Sequence, residues 1–221
     1  MSLINLTMQK NFFVSVIIPV YNSDKFIGRC LRSIKKQTLD KKNYEIIVID
    51  DCSSDFSLKE IKKHKTSQIK IFKNSHNQGL PKTLNRGIKE ARGTLIVRVD
   101  SDDWVHEDFL NILSTFLFIN KDLDAVSCDY ALTNENEKVI KIENCIKKPI
   151  GCGIMFRLQQ LISLGFYNEK FKYAEEEALR NAFLKKYNIT RIPLNLYRYR
   201  QHKNNRSKNK KLVSFYNKKI K

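Results

Sequence analysis

Acidic side chains gather at places in this chain where a loop follows a run of β-branched residues. Asp50 and Asp51 close YEIIVI, Asp100, Asp102 and Asp103 close LIVRV, and the polar pair Tyr21 and Asn22 closes VSVIIPV. A lone Asp-x-Asp ahead of a helix is adequately explained as a cap that complements the helix dipole. Three polar clusters at one edge of one sheet ask for more, because open α/β sheets bind ligands beyond the carboxyl ends of their strands. No His and no C-x-x-C pair stands among these acids, so the donor set is hard oxygen, suited to magnesium or manganese rather than zinc. Such a cation needs an anionic partner. A diphosphate fits, since the metal bridges its oxygens and neutralises charge developing on it as a leaving group. Neither G-x-G-x-x-G after the first strand nor G-x-x-x-x-G-K-[ST] occurs, which counts against dinucleotide oxidoreductases and P-loop enzymes.

The elements that must position these residues alternate. Val14 to Val20, Tyr44 to Ile49, Ile69 to Phe72 and Leu95 to Val99 read as buried strands. Between them, Phe26, Ile27, Cys30, Leu31 and Ile34 recur at helical spacing behind Ser23 and Asp24 as caps. Phe56 to Lys63 fits a short helix, and Leu84, Ile88 and Ala91 line one face of a helix with Pro81 in its first turn and Gly93 beyond it. A helix carrying Trp104, Phe109, Ile112, Leu113 and Phe116 follows. Strand–helix alternation predicts an α/β fold with a mostly parallel, doubly wound, Rossmann-like sheet and helices on both faces. Farther on, Ala125 to Leu132 and Lys138 to Ile142 read as strands joined by the turn NENE, and Ile150 to Arg157 as another. Arg157 to Leu164 and Glu175 to Tyr187 read as helices.

At 221 residues the chain suits one domain. Forty-one Lys and Arg against 23 Asp and Glu give a formal charge of +18, which suits a polyanionic partner or reflects solvated lysine-rich helix faces. The five cysteines are scattered, odd in number and read as reduced structural thiols. No stretch approaches the ~20 apolar residues of a membrane span, and MSLINLTMQKNFF lacks the order of a signal peptide, so a cytoplasmic location is expected.

Taken in order, VSVIIPVYN, LRSIKKQT, YEIIVIDDCSSD and NQGLPKTLNRGIKEARGTLIVRVDSDDW resemble the N-terminal half of the family 2 glycosyltransferases, inverting enzymes of the GT-A fold. GFYNEKFKYAEEEAL is similar to that family's later segment, in which an acidic pair opens a helix, and YRYRQHKNNRS to its terminal strand and histidine segment. The resemblance covers roughly residues 14 to 207. It implies a nucleotide-sugar donor, a GT-A domain over 1–196 (nucleotide-sugar half about 12–105, acceptor half about 106–196), and a basic segment, 197–221, partly folded over the site.

Carried over by position, the resemblance assigns Pro19, Tyr21 and Asp51 to the nucleoside pocket. It puts Asp100 near the ribose, Asp102 on a manganese or magnesium ion and His202 on that metal or the diphosphate. Asn77, Gly79 and Asn85 match the intervening loop and helix, the last two with a structural role at least as well supported. The family's base is the second member of its acidic pair, usually Asp; here the matching residues are Glu175 and Glu176, with Glu177 leaving the register open. Gly151 and Gly153 mark a bend beside donor or acceptor. The implied function is transfer of a sugar from a nucleoside diphosphate, uridine being the family's commonest, to a glycan, lipid-linked or protein acceptor.

Two rival readings stand beside it: a sugar nucleotidyltransferase, disfavoured by YNSDKF where a Gly-rich phosphate loop would be, and a catalytically degenerate basic module that binds membranes. No nucleic-acid module is recognisable. From Tyr197 to Lys221 there are ten Lys or Arg and no acid, so contact with an anionic inner leaflet is an expectation set against a solvated tail.

Overall fold

The computed structural model describes residues 14–203, 205, 208 and 210–220. Its nucleotide half follows the expected alternation. Strand β1 (Val14–Val20) leads to helix α1 (Ile27–Lys35), β2 (Tyr44–Asp50) to α2 (Ser57–Lys63), and β3 (Ile69–Lys73) to α3 (Leu80–Lys89) and β4 (Leu95–Arg98). These four strands pair in parallel in the order β3-β2-β1-β4, with Val20 opposite Asp50 and Ile17 opposite Arg98. Their carboxyl ends therefore align, and the polar clusters that follow them share one edge.

Alternation along β1 sets the two layers. Val14, Val16, Ile18 and Val20 pack with Ile27, Leu31 and Ile34 of α1, whereas Ile17 packs with Leu84 and Ile88 of α3 on the opposite face. Pro19 lies buried in β1, yet it breaks no ladder. Ile17 accepts from Val99 on the β4 side, and Pro19, two residues on, faces the same side where that pairing has ended.

The second half adds β5 (Trp104–Val105), α4 (Phe109–Ile119), β6 (Ala125–Thr133), β7 (Val139–Glu143), β8 (Ile154–Arg157), α5 (Leu158–Ser163), α6 (Glu175–Leu184), β9 (Ile189–Arg200) and α7 (Lys210–Ile220). The sheet continues as β4-β8-β6-β9-β5, with β7 hairpinned onto β6. β8 runs antiparallel to both β4 and β6, and β9 returns parallel to β6. α4 joins the layer of α1, and α5 and α6 join that of α3, so helices cover both faces.

Several sequence expectations are corrected here. Trp104 is not helical: it pairs antiparallel with Arg198 of β9, and α4 begins only at Phe109. Ser23 and Asp24 do not cap α1 through their side chains; the Ser23 carbonyl instead accepts from the amides of Phe26 and Ile27. The strand expected from Ile150 is confined to β8, because Gly153 takes a left-handed conformation (φ 74°) just before it. β9 runs through the 196/197 boundary drawn from the sequence, and Tyr197 is fully buried in it.

Candidate functional site

The site grows from the loops at the aligned strand ends. After β1, the backbone amide of Asn22 donates to Ser53 Oγ and that of Ser23 to Ser57 Oγ, while Asn22 Oδ1 accepts from the Ser54 amide. The first loop is thereby sewn to the second. Tyr21, beside this seam, keeps 51% of its surface exposed and offers a ring face to a ligand.

Asp51 is engaged at both of its carboxylate oxygens. Its Oδ1 accepts from Asn74 Nδ2 (2.7 Å) and the Gln78 amide (2.9 Å), and its Oδ2 from the Gly79 amide (2.9 Å). The carboxylate is 4% exposed and ties the loop between β3 and α3 to the end of β2. Gly79 enters α3 at φ 87°, where a side chain would be strained. Asn77 is exposed in the same loop. Asn85 bridges α3 to the segment ahead of α6, donating to the Tyr167 carbonyl and Glu169 Oε1 and accepting from the Tyr167 amide, which is a structural role. Oδ2 of Asp50, fully buried, has no hydrogen-bond partner among the described residues, an arrangement that favours a donor brought by water or ligand.

The Asp100–Asp103 segment divides its labour. Asp100 is gripped at both oxygens by Arg98, Nε to Oδ1 at 2.6 Å and Nη2 to Oδ2 at 3.0 Å. Asp102 Oδ2 lies 2.8 Å from His202 Nε2. Asp103 turns inward: Oδ1 accepts from the Arg200 amide (2.7 Å) and Oδ2 from the Tyr197 hydroxyl (2.8 Å). Burial, and then the charges of Asp102 and Asp100, push its carboxyl well above the usual range. Asp100, Asp103 and Cys152 place ligand-type atoms within 4.8 Å of one another. The oxygens of Asp103 are already engaged, and burial holds the Cys152 thiol in its protonated form, so this cluster is a hydrogen-bonded part of the core and a poor cation site. Asp102 with His202, each partly open, offers a carboxylate oxygen, which suits manganese or magnesium, beside an imidazole nitrogen, a softer donor that fits manganese better than magnesium.

His202 reaches this place because β9 delivers it. Arg200 Nε donates to the Asp102 carbonyl, and its guanidinium lies over the rings of Trp104 (4.5 Å) and Phe26 (5.0 Å). The imidazole itself packs on Phe26, ring centroids 4.7 Å apart. Glu137 in the β6–β7 turn accepts from both Arg29 and Arg200, closing the cluster.

The acidic run opens α6 as expected. Ala174 precedes it in a left-handed conformation (φ 57°), and Glu175, Glu176 and Glu177 form its first turn. Glu175 is 3% exposed and lies 3.5 Å from Arg98 Nη1. Glu176 is half-buried and packs against Gly151, where an added Cβ would come within 2.7 Å of Glu176 Cβ and 3.0 Å of Arg98 Nη1. Gly151 thus marks a close approach, whereas Gly153 supplies a turn. Sequence reasoning missed Arg98, although an arginine inside the apolar run LIVRV was a visible signal. It also missed the buried Asp103–Tyr197 bond, which no spacing reveals.

Comparison with known proteins places this geometry. The profile of glycosyl transferase family 2 matches residues 15–185. The chain is 37% identical over 105 residues to the poly(ribitol-phosphate) beta-N-acetylglucosaminyltransferase TarS of Staphylococcus aureus, covering 47% of this chain and 18% of that protein. It is 28% identical over 190 residues to the UDP-Glc:alpha-D-GlcNAc-diphosphoundecaprenol beta-1,3-glucosyltransferase WfgD of Escherichia coli, covering 82% of this chain and 74% of that one. A crystal structure of TarS in complex with UDP-GlcNAc superposes with TM-score 0.77 at 24% identity, over 89% of this chain and 61% of that one. The mannosyltransferase PcManGT from Pyrobaculum calidifontis, in complex with GDP-Man and Mn2+, gives 0.71 at 18%, over 89% and 59%. The fold is therefore of the GT-A type, and the matched stretch covers about a fifth of the length of TarS. On the extent of the profile match, this chain belongs to glycosyl transferase family 2.

Proposed function

We propose that this chain transfers a sugar from a nucleoside diphosphate, with uridine diphosphate as the leaving group, to a hydroxyl of a glycan or glycoconjugate acceptor, with inversion at the anomeric carbon. The observation that carries the reading is the meeting of two acidic groups from opposite halves of the chain: Asp100 at the end of β4 and Glu175 at the start of α6, on either side of Arg98. TarS and WfgD, named respectively as a beta-N-acetylglucosaminyltransferase and a UDP-Glc-dependent glucosyltransferase, support the donor class.

Tyr21 offers a stacking face for the base, Asp51 shapes the adjoining loop, and Asp100 lies where a ribose would be held. Glu176 takes the acceptor hydroxyl's proton as the oxygen attacks the anomeric carbon from the face opposite the diphosphate. One carbon–oxygen bond forms, the bond to the diphosphate oxygen breaks, and the nucleoside diphosphate leaves. Asp102 and His202 would hold a manganese or magnesium ion, which when bound offsets the charge on the departing diphosphate. Family membership favours this over nucleotidyl transfer, and Glu176 at the start of α6 keeps a carboxylate where a degenerate domain would have lost one.

We place the protein on the cytoplasmic face of a membrane, held peripherally. Among the described residues no helix is long and apolar enough to cross a membrane. α7 presents Lys211, Lys218, Lys219, Leu212 and Phe215 to solvent, a cationic and apolar face suited to an anionic interface. It is seated beside α6 by Tyr216, whose ring stacks on Tyr173 (6.2 Å). Incubation with a panel of nucleotide sugars, with and without acceptor extract and manganese, tests the function. Release of nucleoside diphosphate that rises with acceptor supports transfer; release of pyrophosphate from a nucleoside triphosphate overturns it.

A further inference from the structure

Arg98 is a charged side chain in the middle of the sheet. Its strand neighbours Ile96 and Val97 are core residues, and Arg98 is 9% exposed. A guanidinium there needs anionic partners at its donors, and it has two that belong to different halves of the proposed site. Nε and Nη2 clasp Asp100 as a fork, which fixes the plane of that carboxylate. Nη1 faces Glu175 Oε1 at 3.5 Å, and Glu175 is the first residue of α6. The Gly151 backbone passes so close to Arg98 Nη1 and to Glu176 that no side chain fits there. Asp100, Arg98, Glu175 and Glu176 are thus packed as one contiguous body.

Resting on the reading above, we infer that Arg98 is a positioning residue that couples the donor-side carboxylate Asp100 to the helix start carrying Glu176, so that one guanidinium sets both donor binding and the reach of the base. The geometry accounts for the choice of arginine. Lysine supplies charge from a single point and cannot hold Asp100 by two parallel bonds while facing Glu175 with a third donor. It also accounts for Glu175 itself: held inside by Arg98, it leaves Glu176, the next residue, as the carboxylate at the surface of the site. Loss of the guanidinium leaves Asp100 and Glu175 without their shared cation, and both the ribose contact and the first turn of α6 then lose their reference.

The test is steady-state kinetics of the whole chain with a nucleotide sugar that the wild type consumes, together with thermal melting and titration of the nucleoside diphosphate. Arg98→Lys is expected to raise donor KM and lower kcat, each by about tenfold. Glu175→Gln is expected to lower kcat by about tenfold with donor KM unchanged, since Asp100 keeps its fork. In the Arg98→Lys background, Glu175→Gln is expected to cost less than it does in the wild type, because the Arg98 contact it weakens is already altered. Strict additivity of the two, or wild-type kinetics in either single variant, overturns the proposal. If Arg98→Lys does not fold, Glu175→Gln alone decides, through its split between kcat and KM. A wild-type chain that releases no nucleoside diphosphate removes the proposed function itself; an active wild type with silent variants removes only the role of Arg98.

Discussion

Nε2 of His202 stands 2.8 Å from Oδ2 of Asp102, a contact between residues 100 apart in sequence. It joins the carboxyl end of a central strand to the segment that leaves the last one, and both side chains are partly open to a ligand. If this pair holds the divalent cation, Asp102→Ala abolishes transfer without loss of fold, and chelator inhibits the wild type until manganese is restored. His202→Ala keeps turnover at saturating metal but needs on the order of 10- to 100-fold more of it. Full activity in chelator removes the metal from the mechanism.

Glu176 is the proposed base, and its replacement separates chemistry from binding. Glu176→Gln should lower kcat by about 10²- to 10⁴-fold while donor affinity stays within a few fold. Glu175→Gln should cost far less, and Glu177→Gln least. A dead Glu177→Gln variant would show that the register along α6 is displaced by one.

Asp51 anchors the Asn74–Gly79 loop through three accepted hydrogen bonds, two of them from backbone amides. Asp51→Ala leaves these buried donors without their acceptor, at about 1–3 kcal/mol for each one left unsatisfied. A clear drop in melting temperature together with weaker nucleoside diphosphate binding is expected. Weaker binding with unchanged melting would mean the carboxylate serves the ligand alone.

Glu45 gives a pH dependence with a defined sign. Its buried carboxylate pays for desolvation but accepts from the Arg92 amide and Ser15 Oγ and pairs with Lys70, and the net effect is a folded-state value below the ordinary one. A depressed carboxyl contributes stability that is complete above its unfolded value, about 4.3, and is lost as pH falls through the folded value. Stability measured by denaturant should therefore fall below about pH 4.5, and Glu45→Gln should be less stable at pH 7 with a shallower acid limb. An acid limb identical to wild type would assign the loss to other groups.

For the C-terminal helix, cosedimentation with vesicles distinguishes a membrane face from a solvated one. The whole chain is expected to bind anionic and not neutral vesicles, in a salt-sensitive way, and a chain ending at Ser207 to bind less. Equal recovery of both chains in the supernatant would remove the membrane from the account.

The parallel half of the fold was legible because its signals are local. VSVIIPV, YEIIVI and LIVRV are apolar runs that can only be buried, and chain order with right-handed crossovers then places Tyr21, Asp51 and Asp100 at one edge. The acidic first turn of α6 was legible for the same reason. The sequence reads Trp104 as helical because an apolar residue five positions ahead of a periodic run carries no mark of the strand it pairs with, and that strand, β9, lies some ninety residues on.

The sequence by itself determined which residue types are available for the chemistry: carboxylates at strand ends, a glutamate run at a helix start, a histidine in a basic segment. Only the tertiary structure decided how they are shared out. Asp103, indistinguishable in the motif from Asp102, is the one turned into the core, because the Tyr197 hydroxyl and the Arg200 amide arrive there from β9. Asp51 is drawn into a loop anchor by amides from beyond β3. Arg98 becomes the joint between two halves because Asp100 and Glu175, 75 residues apart, are its partners on either side. Each of these assignments depends on which donors meet a carboxylate across the sheet, and hydrogen bonds and burial between distant segments leave no periodicity in the chain from which they can be read.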